Sequence, residues 1–266
     1  MKTWTVTMAG MAVAGCLCLA AFVPSVETKE KPQPLARHSI PKGCVFRTVM
    51  GEESSEGSAA YKTPEHVQRS VNLGLAWIAQ AQHNNGGWGA GSHSQQDVRN
   101  PHAVPPDPAT TAMVAMGILR SGSTLTSGAY SKQLQQALEF ILRAAEQSES
   151  SSPTITDVTG TQIQTKLGSN IDVILASQFL SNIIDYAGHD AALKKRIQGA
   201  QEICVHKIQR SQDVNGSMRG SGWAGVLQSS LATTALESAQ AKGADVDEEK
   251  LSKARGFSKE QLQRRD

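Results

Sequence analysis

The sequence predicts an all-α protein built from about three helical hairpins and the start of a fourth. Three observations lead there. Apolar residues recur at helical spacing, as in Leu73, Trp77 and Ile78, or in Leu134, Ala137, Leu138 and Ile141. No stretch keeps the strict alternation of a strand. One stretch also recurs: Gln82-His83-Asn84-Asn85-Gly86-Gly87-Trp88 lines up with Gln212-Asp213-Val214-Asn215-Gly216-Ser217-Met218, with Ile78 opposite Ile208. Self-similarity of this kind marks an array of stacked units.

The elements follow in order. Met1 and Lys2 open a short basic start, residues 3–26 carry no charge, and Glu27 ends the run. The apolar centre from Met8 to Val23 is short for a membrane span and reads as a secretory signal peptide over 1–26. An uncleaved anchor is one alternative. A lipoprotein signal at Val13-Ala14-Gly15-Cys16 is another, set against by the apolar run that continues past Cys16. The protein is therefore expected to be exported, meeting a membrane only through this segment. Residues 27–63 hold Pro32, Pro34 and Pro41 and a Gly/Glu/Ser run over 51–58, too polar to bury itself, and read as a disordered linker.

The globular part spans 64–257, with a basic tail over 258–266. Thr63-Pro64-Glu65 is a helix start, and Asn84-Asn85-Gly86-Gly87 is a stop, giving a first helix over about 64–82. Asp107-Pro108 starts a second over 109–119, and a third covers 132–146. A long Ser/Thr loop over 148–168 follows. Asn170 then opens a helix over 171–186, Asp190 one over 191–210, and a sixth covers 227–241. A capping-box pair, Asp245 and Glu248, starts a seventh over about 246–256. The hairpins echo one another further: Ala109-Thr110-Thr111-Ala112 aligns with Ala232-Thr233-Thr234-Ala235, and Leu134, Ala137 and Phe140 align with Leu251, Ala254 and Phe257.

Composition excludes some functions. Net charge is +2 from 26 basic and 24 acidic residues, with no basic stripe outside the extreme C-terminus, which argues against nucleic-acid binding. Aromatic residues make up 5%, so the core has to be aliphatic.

An apolar helix followed by Gln82, Gly86 and Trp88, with a weaker copy at Gln212 and Gly216 where Met218 replaces the tryptophan, resembles the QW repeat of squalene–hopene and oxidosqualene cyclases. More broadly it resembles the terpenoid cyclase and protein prenyltransferase β-subunit superfamily, over about residues 64–257. The resemblance implies an (α/α) toroid, of which this chain supplies about half. It also implies structural roles for Gln82, Gly86, Trp88, Gln212 and Gly216. A partial ring is expected to be completed by a second copy or a protein partner, or to hold an apolar ligand along its inner helices.

The chemistry of that family is poorly represented. Class II cyclases protonate substrate with the central Asp of a D-x-D-D-T-A motif, and the nearest stretch here is Asp107-Pro108-Ala109-Thr110-Thr111-Ala112, without the central carboxylates. Asp107 reads as a helix N-cap. Asp172 is the alternative acid, and it and Asp107 are the two catalytic candidates. No zinc set of the prenyltransferase kind emerges: Cys204 and His206 point to different helix faces. His83, His93 and His102, with Asp97 and Asp107, read as dispersed loop residues, and a Cys44–Cys204 disulfide is the one cross-link export would allow. The expectation is a non-catalytic binding protein without metal or cofactor. A cyclase-like enzyme with a displaced acid, or one completed by a second chain, is the alternative, and a polysaccharide-active toroid is a third reading that lacks a paired carboxylate.

Overall fold

Ile171–Ile183 (α5) is apolar on every side, and a helix of that composition has to be covered on every side. In the computed structural model it is: eleven of its residues, Asp172 and Ser177 among them, are buried. The structure describes residues 64–263 apart from Gln96 and Ser221, so the expected signal segment, linker and Cys44 lie outside the described residues.

Around α5 the described residues form the helices Glu65–Gln80 (α1), Pro108–Arg120 (α2), Ser131–Gln147 (α3), Gln162–Leu167 (α4), Ala191–Arg210 (α6), Gly225–Ala241 (α7) and Glu248–Gln263 (α8). They contain no named strand, only the isolated bridges Ser92–Thr161 and Gln212–Met218, so the all-α expectation holds. α2 and α7 each pack on α5, while α3 packs on α2 and α6, α6 on α5, and α8 on α7. The core is aliphatic: Leu134, Ile141, Leu142, Ile174, Leu180, Ile183, Ile197 and Ile208 have no exposed surface.

Local signals fix several boundaries. Asp190 accepts from the Leu193 amide at 2.9 Å and starts α6 at the expected residue. The loop expected over 148–168 contains α4, opened by a capping box in which Thr161 and Gln164 bond each other's backbone; the Thr-x-x-Gln spacing carried that signal. α8 is capped by Asp247, which accepts from the Glu249 and Lys250 amides, and not by the Asp245/Glu248 pair; the Asp245 amide instead donates to Glu202. α8 also runs on to Gln263, past the expected end near Gly256.

The first helix departs furthest from expectation. α1 contains no buried residue and, among the described residues, packs extensively on no other helix. Leu73 is 68% exposed and Trp77 58%, with Val67 and Val71 also open. Only Ile78, partly buried, reaches the core from the stripe.

Candidate functional site

The recurring loop has one geometry at both of its copies. After α1, the His83 amide donates to the Gly87 carbonyl (3.0 Å), the Gly86 amide to the His83 carbonyl (2.8 Å), and the Gly87 amide to the Asn85 side chain (3.1 Å). After α6, Asp213 donates to Ser217 (2.8 Å), Gly216 to Asp213 (3.0 Å), and Ser217 to the Asn215 side chain (3.0 Å). Asn at the fourth position forms the same Asx turn each time. The glutamine then reaches the next helix but one: Gln82 Nε2 donates to the Gly86 carbonyl at 2.8 Å and to the Gln133 carbonyl of α3 at 2.9 Å. Gln212 Nε2 donates to the Lys250 carbonyl of α8 at 3.4 Å. Gly86 and Gly216 have φ of +93° and +87°, and a Cβ there would lie 2.3 Å from the Gln136 oxygen and the Lys253 carbonyl carbon respectively. Each loop is thus pressed onto the first turns of the next helix but one, α3 or α8, through a glycine that admits no side chain.

The seventh position of the loop enters the core. Trp88 is buried, its backbone amide donates to Thr111 Oγ1 (3.0 Å) and its indole Nε1 to the Ile78 carbonyl (2.8 Å). The Met218 amide donates to Ser229 Oγ (3.0 Å), and methionine has no counterpart to the indole bond. Trp88→Phe is therefore expected to destabilise by about 1–2 kcal/mol, from one lost hydrogen bond and some lost volume. Urea denaturation checks it, and an unchanged midpoint would mean the indole bond contributes nothing.

These contacts also correct one alignment. Thr111 Oγ1 bonds the Asp107 carbonyl (2.8 Å) and Ser229 Oγ the Gly225 carbonyl (2.9 Å), so Ser229 takes the place of Thr111 and Thr234 does not. Thr234 bonds Ser230 and meets no loop amide. Small residues three apart recur along any closely packed helix and fit more than one register, which is why Ala232-Thr233-Thr234-Ala235 matched.

Between the two copies, Ala137-Leu138-Glu139-Phe140-Ile141-Leu142 and Gln147 echo the repeat only weakly, and the chain there is held differently. Gln147, at the end of α3, is exposed. The following strap is clamped by α6, with Lys207 Nζ donating to the carbonyls of Glu149 (2.6 Å) and Ser152 (2.7 Å) and Arg210 Nη1 to that of Ser150 (2.6 Å). Sequence reasoning passed over Lys207 and Arg210, because nothing in a lone pair of cations three apart on a helix announces what they bind.

The two candidate acids are both buried, Asp107 2% and Asp172 1% exposed. Asp107 caps α2: Oδ1 accepts from the Thr110 amide (2.9 Å) and Oδ2 from the Thr110 hydroxyl (2.7 Å). Burial raises its pKa, and the Thr110 bonds oppose the rise. Asp172 sits in the first turn of α5, where Oδ2 accepts from the Ile155 amide of the strap (2.6 Å) and Oδ1 has no partner among the described residues. Burial is the main cause that pushes it up to about 7, the Ile155 bond opposes, and the charge of Asp107 adds a little. The structure so brings the two acids into electrostatic reach, but neither faces solvent.

The remaining polar candidates are scattered. His83 and His102 rings lie 5.1 Å apart and bond the Pro101 and Gln80 carbonyls, and His93 bonds Gln162. Cys204 is fully buried, has no disulfide among the described residues, and its thiol is pushed up by burial, while His206 is exposed. Among the described residues no three His, Cys, Asp or Glu side chains converge on a metal site, and no helix is long and apolar enough to cross a membrane. Comparison of the chain with protein-family models, with curated proteins and with solved structures finds no match in any of the three.

Proposed function

We propose that the protein is an exported, non-catalytic binding module, a partial (α/α) toroid of the squalene-cyclase and prenyltransferase type, in which α2, α5 and α7 form the inner row. The observation that carries the binding reading is α1. Its C-terminal end is fastened to α3 through Gln82, yet Leu73 and Trp77 are 68% and 58% exposed on an apolar face that includes Val67 and Val71. A fastened helix with an open apolar face needs a partner. The partner is a protein helix with an apolar face of its own, supplied by a second copy of the chain or by another protein that continues the array. The burial of both acids supports the non-catalytic part, since a proton donor has to touch its substrate.

Light scattering on the purified chain, with Trp77→Ser alongside, is the test. Because Trp77 is exposed, the substitution should change stability by less than about 0.5 kcal/mol. It should weaken self-association or partner capture by at least about tenfold. Association that is indifferent to Trp77→Ser would remove α1 from the interface, and turnover of squalene or of a polyprenyl diphosphate would overturn the non-catalytic reading.

One observation favours the alternative, a cyclase-like enzyme with a displaced acid: burial pushes the pKa of Asp172 up to about 7, so it holds its proton more readily than an ordinary aspartate. Product analysis on the wild type and Asp172→Asn separates the two readings, since only the enzyme loses a product.

A further inference from the structure

Between the strap after α3, the start of α5 and the loop after α6 lies a cavity of about 310 Å³. Lys207, Arg210 and Arg219 line it together with Ser151, Ser169 and Asn170. The three cations are held in an unusual way. Lys207 is 2% exposed, and both it and Arg210 are bonded to backbone carbonyls of 149–152, with no carboxylate within 4.0 Å among the described residues. Arg219 donates to the Gln212 carbonyl at 2.9 Å and forms a loose ion pair with Asp213 at 3.9 Å. Carbonyls fix a cation's position without cancelling its charge. Burial lowers the pKa of Lys207, and the nearby charges of Asp172 and Glu149 oppose that without forming an ion pair with it among the described residues. The start of α5 adds the positive end of a helix dipole at the same wall, and the serine hydroxyls add neutral donors.

We propose that this cavity binds a compact tetrahedral oxyanion, a phosphate or sulfate group, held by Lys207, Arg210 and Arg219 with the serine hydroxyls of the strap and of the α5 start. Guanidinium groups suit such an anion because each offers two parallel N–H donors to two of its oxygens. Occupancy would tie the strap, α5 and the loop after α6 together at one point, which goes beyond the partner surface on α1 and does not depend on it.

The test is titration of the full chain with inorganic phosphate and, separately, sodium sulfate at constant ionic strength, followed by calorimetry and by the amide shifts of Ser169 and Asn170. Arg210 and Arg219 are exposed, so Arg210→Gln and Arg219→Gln should keep the far-UV circular dichroism of the wild type. Each should weaken binding by about tenfold. Arg143→Gln, which removes an equal charge from an exposed position on α3, should leave binding unchanged. Whichever anion binds more tightly identifies the source. Equal weakening by Arg143→Gln, or no shift of the Ser169 and Asn170 amides at saturating concentrations of both anions, would overturn the proposal.

Discussion

Gly86→Ala is expected to destabilise the protein by about 3–5 kcal/mol, and Gly216→Ala by a similar amount, the sum of left-handed backbone strain and overpacking. Both glycines have positive φ, and both would bring a Cβ to 2.3 Å from backbone atoms of a helix, Gln136 of α3 or Lys253 of α8. Backbone in a helix cannot swing aside as the end of a side chain can, so relief requires the loop to lift. Lifting the first loop also breaks the Gln82 bonds to Gly86 and Gln133. Gly199→Ala in α6 is the control: it is exposed, its Cβ would meet nothing within 4 Å, and alanine there should stabilise by about 0.5–1 kcal/mol. Urea or thermal denaturation reads all three. A cost below about 1 kcal/mol at both loop glycines would show that the loops are not pressed onto the helices as the contacts indicate.

The protein should also be more stable at pH 5 than at pH 8, by about 3 kcal/mol, and most of that difference should vanish in Asp172→Asn. The folded-state pKa of Asp172 is raised from 3.8 to about 7. Its protonated form is therefore favoured by folding. Below pH 3.8 the group is neutral in both states and costs nothing; between 3.8 and 7 the unfolded chain ionises first, so stability falls steadily as pH rises and levels off above 7. Asp107, also raised, contributes in the same direction. Glu146 and Glu248 act oppositely: Arg196 lowers the first and the Gln240 side chain, then Arg255, the second, so their contributions are lost only below the ordinary glutamate value of 4.5. Comparing pH 5 with pH 8 avoids that range. A wild type equally stable at both pH values, or a slope that survives Asp172→Asn, would show that Asp172 is not held neutral by the fold.

What could be read along the chain was local. The apolar face of α3, Leu134, Ala137, Leu138 and Ile141, is buried as its spacing predicted, because a helix with one apolar stripe has one way to turn it inward. Asp107 and Asp190 cap their helices because a short acceptor before a helix start satisfies amides that nothing else in the chain can reach. The small capped helix α4 was legible too, in Thr161 and Gln164, but was masked by the serines and threonines around it.

The tertiary structure decided what depends on neighbours distant in sequence. The stripe on α1 reads like the stripe on α3, yet α3 is covered by α2 and α6 while Leu73 and Trp77 stay open. Periodicity states that a helix has an apolar face and is silent on whether anything meets it. The register of α7 against the loop, with Ser229 in the place of Thr111, is set by which hydroxyl reaches an amide eleven residues upstream. The raised pKa of Asp172 comes from its burial among segments distant in sequence, against the opposing bond from the Ile155 amide of the strap. The cluster of Lys207, Arg210 and Arg219 exists only where the strap and the loop after α6 meet the start of α5. Helix starts, stops and faces are short-range properties and were written in the sequence; burial, register and electrostatic surroundings arise from contacts between distant segments, and only the fold fixes those.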